Sequence, residues 1–498
     1  MPPDTQGVAL TFIHNWIVLL PLPPDDLPRV EGDITDEFAS ADLNDVRRTR
    51  RLCKVAAAMA SAPSLSLSAA SGGWAETIAT YRLLNQPDIT PELLLAPHRE
   101  ATLTRCAAQA CVVVAQDTTE LDFSRMKSTE GLGPLNTENR RGLFMHSLHA
   151  VSESGLPLGM VSATMMIRDA GDFRGTARRK ASPITAKESR RWVEGYLESC
   201  SVARRLPQCE VVSVSDREGD IFEVFEAWHQ AEGDVRAEWI IRANQDRALS
   251  PALHEDGVRL FQTLSSAPLL GGIEFDLTPS QGWRKVKGNS VPTHRTARQV
   301  RQEIRAMEIT PRPPYRKGST LPEVSFWAVL AEEKSAPDGE EPVRWLLLTS
   351  KPVATLEEAK RILRLYMRRW DIEVFHRVLK TGCRVEQIQL RTSKALVNAL
   401  AIHAVIAWRI LYLTHLGRHV PEMPCGEVFG EAEWKSACAV VGRRGDEEPA
   451  LAEFIAIVGK LGGHLGRNGD GPPGAQSIWQ GLARVRDFAC AWLAIHGS

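Results

Sequence analysis

Cys111-Val-Val-Val-Ala-Gln-Asp117 is an apolar run that ends in a carboxylate, and Val211-Val-Ser-Val-Ser-Asp216 repeats this pattern further along the chain. Valine favours β-strands and aspartate does not, so each run predicts a buried strand that stops at its aspartate. Open α/β sheets place their ligand groups at the carboxyl ends of the core strands. The two runs therefore predict two carboxylates at one edge of an α/β sheet.

The segments around these two runs predict the other elements of the core. Apolar and alternating stretches favour strands, whereas the longer amphipathic stretches between them favour helices. Three strands, a helix and then strand–helix–strand are typical of an α/β core of the ribonuclease H kind. Further strands are predicted at 146–151, 158–165, 239–242, 326–330 and 345–349, and helices at about 185–203 and 220–228.

The length of 498 residues suggests two to four domains. We expect a fold of the α/β class, with a ribonuclease H-like core over 106–385 that is interrupted by a mainly β insertion at about 246–340. Helical patterns flank this core over 31–105 and 386–498. Residues 1–30 are rich in proline near their end and are predicted to form a disordered extension.

The charge balance gives no global sign of a nucleic-acid partner. The formal net charge is -1, whereas nucleic-acid-binding domains are often strongly basic. A local exception is 284–317, where ten Lys and Arg residues face only two acids, Glu303 and Glu308. Such a local excess fits an electrostatic footprint for DNA, and a solvated basic loop is the alternative interpretation.

The nine cysteines form no CxxC pair and no cluster with the spacing of a zinc site. Scattered cysteines of this kind are typical of buried thiols in a reducing cytoplasm. The apolar run at 9–20 is too short to cross a bilayer. Because of this length, no membrane partner is expected. No Lys or Arg precedes the run, so no secretory signal is expected either.

The segment Glu357–Lys380 contains neither Gly nor Pro and is predicted to form one continuous helix. At 100° per residue, Tyr366, Arg369, Glu373 and Lys380 lie on one polar stripe, opposite most of the apolar side chains. Taken alone, Arg369 and Glu373 fit an ordinary i,i+4 surface ion pair. Beside the two strand-end aspartates, however, Glu373 would supply the third carboxylate of a single site.

Three carboxylates without Cys or His suit Mg²⁺ or Mn²⁺ and argue against zinc. Two such ions about 4 Å apart can bracket the attacking and leaving oxygens in phosphoryl transfer. The cations beside Glu373 would then bind substrate phosphates. A glycosidase with paired carboxylates would have no use for those cations, so the pattern favours phosphoryl transfer.

Tyr366-x2-Arg369-x3-Glu373-x6-Lys380 is a YREK signature, and with it the chain resembles the bacterial insertion-sequence transposases of the IS4 family. Those enzymes carry a DDE active site. Ala115-Gln-Asp117-Thr-Thr resembles their first-aspartate motif, and Ser215-Asp216-Arg-Glu-Gly-Asp220 resembles the second. The likeness extends from about residue 35 to the C-terminus and weakens after Lys380.

The resemblance implies roles for individual residues. It makes Asp117, Asp216 and Glu373 the catalytic and metal-binding triad, with Mg²⁺ as the ion and Mn²⁺ as a substitute. For Trp345, a core aromatic residue at the start of a strand is an alternative interpretation. The side chains that the resemblance assigns to DNA binding are Tyr366, Arg369, Lys380, Arg242, Trp345, Arg48 and Arg51.

The resemblance also implies cut-and-paste transposition in the bacterial cytoplasm. One strand at the transposon end is hydrolysed, and the freed 3′-hydroxyl attacks the opposite strand, with a hairpin as the product if the family's mechanism holds. A hydrolysed end then joins target DNA. The implied partners are the terminal inverted repeats, target DNA and a second copy of the chain.

Within this scheme, 31–105 would bind DNA and 386–498 would dimerise, with helices at 398–416 and 478–495 as the interface. No GxxxxGK[ST] motif occurs, so no ATP site is expected. Two other functions stay open at this point. One is a catalytically idle DNA-binding derivative that inhibits transposition, and the other is a ribonuclease H-like nuclease.

Overall fold

The computed structural model describes residues 34–496 apart from short gaps, and the extension expected at 1–30 lies outside the described residues. The chain divides into two compact units. In described residues, the first unit contains 110–117 and 187–373, and the second contains 34–109, 118–169 and 374–496. The gaps are at 62, 65, 138, 170–186, 232, 234, 252–253, 255–256, 278–279, 287–288, 317–319, 444–446 and 468–470.

The secondary structure follows the predicted alternation of helices and strands. In the described part of the chain the helices are α1 (Val46–Ser61), α2 (Leu67–Ala70), α3 (Trp74–Leu84), α4 (Pro91–Ala107), α5 (Arg190–Arg205), α6 (Phe222–Gln230), α7 (Leu260–Ser265), α8 (Leu356–Met367), α9 (Trp370–Arg377), α10 (Ser393–His419), α11 (Glu431–Val440), α12 (Leu451–Leu461) and α13 (Ala475–His496). The strands are β1 (Cys111–Asp122), β2 (Gly133–Pro134), β3 (Arg141–Ser152), β4 (Pro157–Met166), β5 (Glu210–Ser215), β6 (Glu238–Arg242), β7 (Leu269–Leu277), β8 (Ser280–Val286), β9 (Asn289–Arg295), β10 (Arg298–Ile309), β11 (Phe326–Glu333) and β12 (Arg344–Thr349).

A mixed sheet organises the first unit. The first residues of β1 pair with β5 in parallel from Cys111↔Glu210 to Ala115↔Val214, and β5 pairs with β6 in parallel. From β6 the order continues through β12, β11, β10 and β7, and each of these pairs is antiparallel. Most strands of the predicted β insertion therefore extend the sheet that holds the parallel strands, and only β8 and β9 form a separate hairpin.

Helix α8 covers one face of this sheet. Its start is fixed by a capping box, in which the Thr355 side chain accepts from the Glu358 amide and Glu358 accepts from the Thr355 amide. Its apolar stripe buries Ile362 and Leu363 in a cluster with valines, isoleucines and leucines of the strands. This packing holds the last turn of α8, and with it Tyr366, against the sheet.

The second unit is built around α10, the longest helix. Its sequence is apolar on all sides, which is the pattern of a helix buried within a core. Ser393–His419 is also long and apolar enough to cross a membrane, but 89% of its most apolar window is buried inside the protein. The hairpin of β3 and β4 belongs to the same unit, and the turn between them places Gly155 at φ 101°, where glycine is favoured.

A buried polar network lies near the start of the second unit. Arg105 donates to Glu37 at 2.8 Å, and His98 donates from Nδ1 to Glu37 at 2.5 Å. The Met160 amide donates to His98 Nε2 at 2.9 Å, so the imidazole is neutral with its proton on Nδ1. Burial opposes the charge of Glu37, but the hydrogen bond from His98 and the guanidinium of Arg105 outweigh it and lower the pKa of this carboxyl from 4.5 to about 2.

Because the pKa of Glu37 is lower in the folded protein, its carboxylate stabilises the fold above about pH 4.5, and this contribution is lost as the pH falls towards 2. Glu37→Gln is therefore expected to cost about 3 kcal/mol at neutral pH and progressively less in acid. Urea unfolding of both proteins from about pH 2 to about pH 7 measures this difference. The exposed Glu92 is the control, and a pH-independent loss in Glu37→Gln would contradict the linkage.

Candidate active site

The two predicted aspartates come from adjacent parallel strands. The pairing of β1 with β5 ends at Ala115↔Val214, and Asp117 lies two residues beyond it. The prediction that the first strand stops at Asp117 is wrong, because β1 continues to Asp122. A strand can continue past the end of one pairing, so an aspartate marks the limit of that pairing and not of the strand.

Asp216 follows directly on β5, as predicted. It caps the short 3₁₀ turn Arg217–Gly219, and its Oδ1 accepts from the Glu218 amide at 2.8 Å. Gly219 is required by the tightness of this turn, because a Cβ there would lie 2.2 Å from Ser215 Oγ. The turn fixes the backbone on which the Asp216 carboxylate stands.

Glu373 lies on α9, and the prediction of one continuous helix through it is wrong. Residues Arg368 and Arg369 form a turn between α8 and α9. Their amides donate to the carbonyls three residues earlier, Leu365 and Tyr366, at 3.1 and 3.0 Å. Such bonds are tighter than those of an α-helix. The absence of Gly and Pro could not predict this break, because the break needs no special residue.

A second irregularity follows α9. Val378–Gly382 is a π-helical turn, and Lys380 lies within it. The spacing of two regular α-helical turns between Glu373 and Lys380, which the sequence predicted, therefore does not apply. π-turns inside helices are rare and are frequent at functional sites.

Arg369 connects two of the three predicted triad residues. Its Nη2 donates to Glu373 Oε1, and its Nη1 lies 3.8 Å from Asp117 Oδ2. The Arg369 side chain is only 5% exposed. Burial disfavours its charge, but Tyr366, Glu373 and Asp117 outweigh burial and raise the pKa of the guanidinium above its ordinary value. Asp117 and Glu373 thus face one shared positive charge.

Tyr366 lies at the centre of a second group of contacts. It is buried and hydrogen-bonds to both Arg242 and Arg369. Burial raises the pKa of the Tyr366 hydroxyl, the two arginines oppose that shift, and the nearby Asp216 adds to it. Burial also lowers the pKa of Arg242, with Arg217 and Arg369 acting in the same direction. Asp216 and two arginines therefore surround one tyrosine, and Arg217 acts on one of these arginines, Arg242.

Trp345 stands beside this group on β12. It is half-buried, and its ring packs edge-on against Tyr366 with ring centroids 6.1 Å apart. This position agrees with either interpretation of Trp345, because a ring that packs on a core tyrosine can still present its other side.

Asp220 is a residue of this site for which the sequence suggested no role. Its carboxylate is fully buried, pairs with Arg247 at 2.5 Å, and accepts from the amides of Asn244 and Gln245 at 2.7 and 2.9 Å. Asp220 therefore fixes the turn that follows β6. Arg242 is the last residue of β6 and leads directly into this turn. Asp220 is the last residue of the second-aspartate motif, and this position in the motif could have indicated its role.

Asp371 is the other residue that the sequence did not select. It is buried two positions before Glu373, and burial raises its pKa to about 7, against an opposing effect of Arg368. Its Oδ2 has no hydrogen-bond partner among the described residues. Its position on the otherwise apolar side of the predicted helix could have indicated that Asp371 is buried.

Across the described residues, no three His, Cys, Asp or Glu side chains stand close enough together to form a ready metal site. The prediction that Asp117, Asp216 and Glu373 converge to within about 4–7 Å, which suits ions about 4 Å apart, stays a prediction. The donor chemistry nevertheless fits a divalent cation. Oxygens of Asp117 and Glu373 both face a positive charge, and carboxylates are the donors that Mg²⁺ and Mn²⁺ prefer.

The two arginines assigned to end recognition are held in ion pairs of the second unit. Arg48 pairs with Asp88 at 2.5 Å, and Arg51 pairs with Glu76. The Arg51 pair attaches α1 to α3, which carries Glu76, and the Arg48 pair attaches α1 to Asp88, which follows α3 in the chain. Their contribution to DNA binding stays a prediction.

The basic segment 284–317 is less basic in space than in sequence. Arg298 pairs with Glu333 and Glu340, and Arg316 pairs with Glu223. All three carboxylates lie outside the segment, so a count within it could not include them. Arg301 and Arg305 also contact carboxylates, while Arg284, Lys285, Lys287, Arg295 and Lys317 lie outside the described side chains.

Three family models match successive parts of the chain. They are a transposase DNA-binding model over 32–89, a transposase DDE domain over 228–409 and a transposase Tn5 dimerisation domain over 405–492. The chain therefore belongs to the DDE transposases, enzymes that cleave DNA and transfer its strands. The combination of the three matches makes it a Tn5-like member of the IS4 family.

This membership confirms several predictions at once. The DDE domain implies the ribonuclease H-like core, and domains of this class use divalent metal ions. The other two matches establish that the protein binds DNA and forms dimers. The matched DDE range contains Glu373, whereas Asp117 and Asp216 precede it, so the assignment of the triad rests on the motifs and on the geometry described above.

Proposed function

We propose that the chain catalyses cut-and-paste transposition in the bacterial cytoplasm, with Asp117, Asp216 and Glu373 as its metal-binding triad. The observation that supports this proposal best is the position of Arg369, whose guanidinium contacts both Asp117 and Glu373 in a buried setting. Carboxylates gathered around one cation from separate elements are arranged for a charged ligand. A core held together by apolar packing has no need of them.

Divalent ions, when bound by such carboxylates, stabilise the charge that develops on a phosphate and activate the attacking oxygen. We assign Mg²⁺ as the ion, with Mn²⁺ as a substitute. Asp117, Asp216 and Glu373 would hold it, and Asp220 would keep the adjoining turn in place.

The surrounding cations suit a bound DNA end. Arg242 and Arg369 share Tyr366, so their side chains are oriented before DNA arrives, and the positive charge fits a phosphate. Trp345 lies beside them and offers an aromatic face on which an unpaired base could stack, because aromatic side chains stack favourably on bases that have left the duplex. We include Lys380 as a further phosphate contact on the strength of the YREK motif alone.

The experiment that tests this function uses a duplex in which the element's inverted repeat adjoins flanking DNA, together with a target plasmid. With Mg²⁺, the protein is expected to nick at the repeat, release the flanking DNA and join the end to the plasmid, as seen on denaturing gels. A hairpin at the released end would identify the intermediate.

Two outcomes would contradict the proposal. Cleavage without joining would indicate a ribonuclease H-like nuclease, and binding without cleavage would indicate an idle derivative. The same reaction with EDTA in place of Mg²⁺ is the control. The three matched domains favour the transposase, because a nuclease alone would need neither a dimerisation domain nor a separate DNA-binding domain.

A further inference from the structure

The turn that follows Asp216 is held by a side chain from the first turn of α5. Arg191 donates from Nη2 to Glu218 Oε2 at 2.9 Å, and Glu218 is the middle residue of the turn Arg217–Gly219. Within the described part of the chain, Arg191 is the one residue that forms an ion pair with Glu218. A helix is thus tied to the turn that supports one of the three proposed metal ligands.

Arg191 is itself held in place. Its Nη1 donates to the backbone carbonyl of Glu188, just before α5, at 3.0 Å, and its side chain is only 15% exposed. The guanidinium is therefore fixed on its own helix through one nitrogen and on Glu218 through another. Because the guanidinium is planar and rigid, two such bonds leave it little freedom. The position of the Glu218 side chain then follows that of α5.

The next residue of α5 packs against the same turn from the inside. Trp192 is buried, and a Cβ on Gly219 would lie 3.4 Å from its ring and 2.2 Å from Ser215 Oγ. Packing therefore fixes the inner side of the turn. The Glu218 side chain lies on the outer side, where it is 63% exposed. Arg191 supplies the restraint on this outer side.

A single hydrogen bond connects this turn to the active site. The amide of Glu218 donates to Asp216 Oδ1 at 2.8 Å. The bond engages one carboxylate oxygen and limits the rotation of the group, so the other oxygen keeps a defined direction. Because the donor is a backbone amide, the bond lasts only while the backbone of Glu218 stays in place. A restraint on Glu218 is therefore also a restraint on the Asp216 carboxylate.

We propose that Arg191 is a positioning residue of the active site, which acts through Glu218 to orient the Asp216 carboxylate for a divalent cation. The inference rests on the proposed function, in which Asp216 is a metal ligand. Removal of a side chain that orients a metal ligand typically lowers metal affinity by about 10- to 100-fold. An ion pair with a partner as exposed as Glu218 contributes little to stability. Metal affinity and stability should therefore respond differently to the loss of Arg191.

The experiment measures the Mn²⁺ affinity of the full-length protein from the electron paramagnetic resonance signal of the free ion, and its stability by thermal melting in EDTA. Arg191→Ala is expected to weaken Mn²⁺ binding about tenfold, with a melting temperature close to that of the wild type. Arg191→Lys should recover part of the affinity, because a lysine can still pair with Glu218.

The Mn²⁺ dependence of cleavage gives a second measurement. In Arg191→Ala the Mn²⁺ concentration for half-maximal nicking should rise about tenfold. The rate at saturating Mn²⁺ should stay within about threefold of the wild type, because excess ion compensates for a poorly oriented ligand. A residue that contacted the reacting phosphate would instead lower the rate at saturating Mn²⁺, and that result would contradict the proposal.

Arg190→Ala is the matched control, since Arg190 is the neighbouring arginine of α5 and forms an exposed pair with Glu194. It should change neither Mn²⁺ affinity nor melting temperature. Glu218→Ala should weaken Mn²⁺ binding as much as Arg191→Ala does. The double variant should be no worse than either single variant, because both changes remove the same contact.

Wild-type Mn²⁺ affinity in Arg191→Ala, or a double variant whose loss is the product of the two single losses, overturns the proposal. A melting temperature several degrees lower in Arg191→Ala would show that Arg191 supports the fold and does not position Asp216. Asp216→Asn separates this inference from the proposed function. If Asp216→Asn binds Mn²⁺ normally, both fail, whereas weak binding in Asp216→Asn beside normal binding in Arg191→Ala refutes only the role of Arg191.

Discussion

Glu373→Gln is expected to abolish strand cleavage, with a rate loss of about three orders of magnitude or more, while end binding stays within about twofold of the wild type. The change removes one carboxylate charge but keeps the size of the side chain. Loss of a divalent ion from the reacting phosphate removes several kcal/mol of transition-state stabilisation, and each factor of ten corresponds to about 1.4 kcal/mol. DNA binding depends on other side chains, so it should persist.

A cleavage assay beside an anisotropy assay on the same duplex measures both quantities. Glu357→Gln is the matched control, because Glu357 lies on α8 of the same unit, is 75% exposed and makes only a surface pair with Lys360. It should cleave and bind normally. Parallel losses of cleavage and binding in Glu373→Gln would show that Glu373 supports the fold and is not a metal ligand.

Arg369→Gln is expected to destabilise the metal-free protein by about 3–5 kcal/mol, the usual cost of leaving a buried charge without its partner. The substitution leaves Asp117 and Glu373 facing each other without the guanidinium that both contact. Added Mg²⁺ or Mn²⁺ should then raise the melting temperature of the variant more than that of the wild type. The reason is that a ligand stabilises the folded state in proportion to its affinity, and Arg369 no longer competes for the carboxylates.

Thermal melts in EDTA and at several Mn²⁺ concentrations test this prediction without any activity assay. Arg361→Gln is the control, since Arg361 pairs with the half-exposed Glu210 elsewhere in the unit and should cost about 1 kcal/mol or less. An Mn²⁺-induced rise equal to that of the wild type would show that Arg369 and the ion do not compete for the carboxylates.

The parallel part of the fold was accessible from the sequence because it follows from local composition. Each apolar run with a terminal aspartate became a strand that leads to a site residue, and β5 ends one residue before Asp216 as predicted. The helix at 398–416 was also predicted, but as part of a dimer interface. In the structure α10 is instead buried over nearly all of this range inside the protein, as expected for a helix that is apolar on all sides.

Features that depend on distant contacts were not accessible. The break at Arg368 and Arg369 contains strong helix formers, and only packing in the folded protein can favour a tight turn there. The neutralisation of Arg298 comes from Glu333 and Glu340, which both lie outside the basic segment 284–317. Likewise, helical spacing placed Arg369 and Glu373 together, but it could not predict that Asp117 would share their ion pair.

The pairing of β1 with β5 has a consequence for how the protein is made. The parallel pairing of β1 with β5 begins at Cys111↔Glu210, so it cannot form before Glu210 has been synthesised. The first unit is complete only when the chain has reached Glu373. At the usual 5–20 residues per second, the ribosome needs on the order of ten to fifty seconds to cover that distance. In the first part of this interval, until β5 has been synthesised, the edge of β1 that pairs with β5 stays open, and an open apolar strand edge favours aggregation. The yield of folded protein should therefore depend on the speed of translation and on the chaperones that cover the nascent chain.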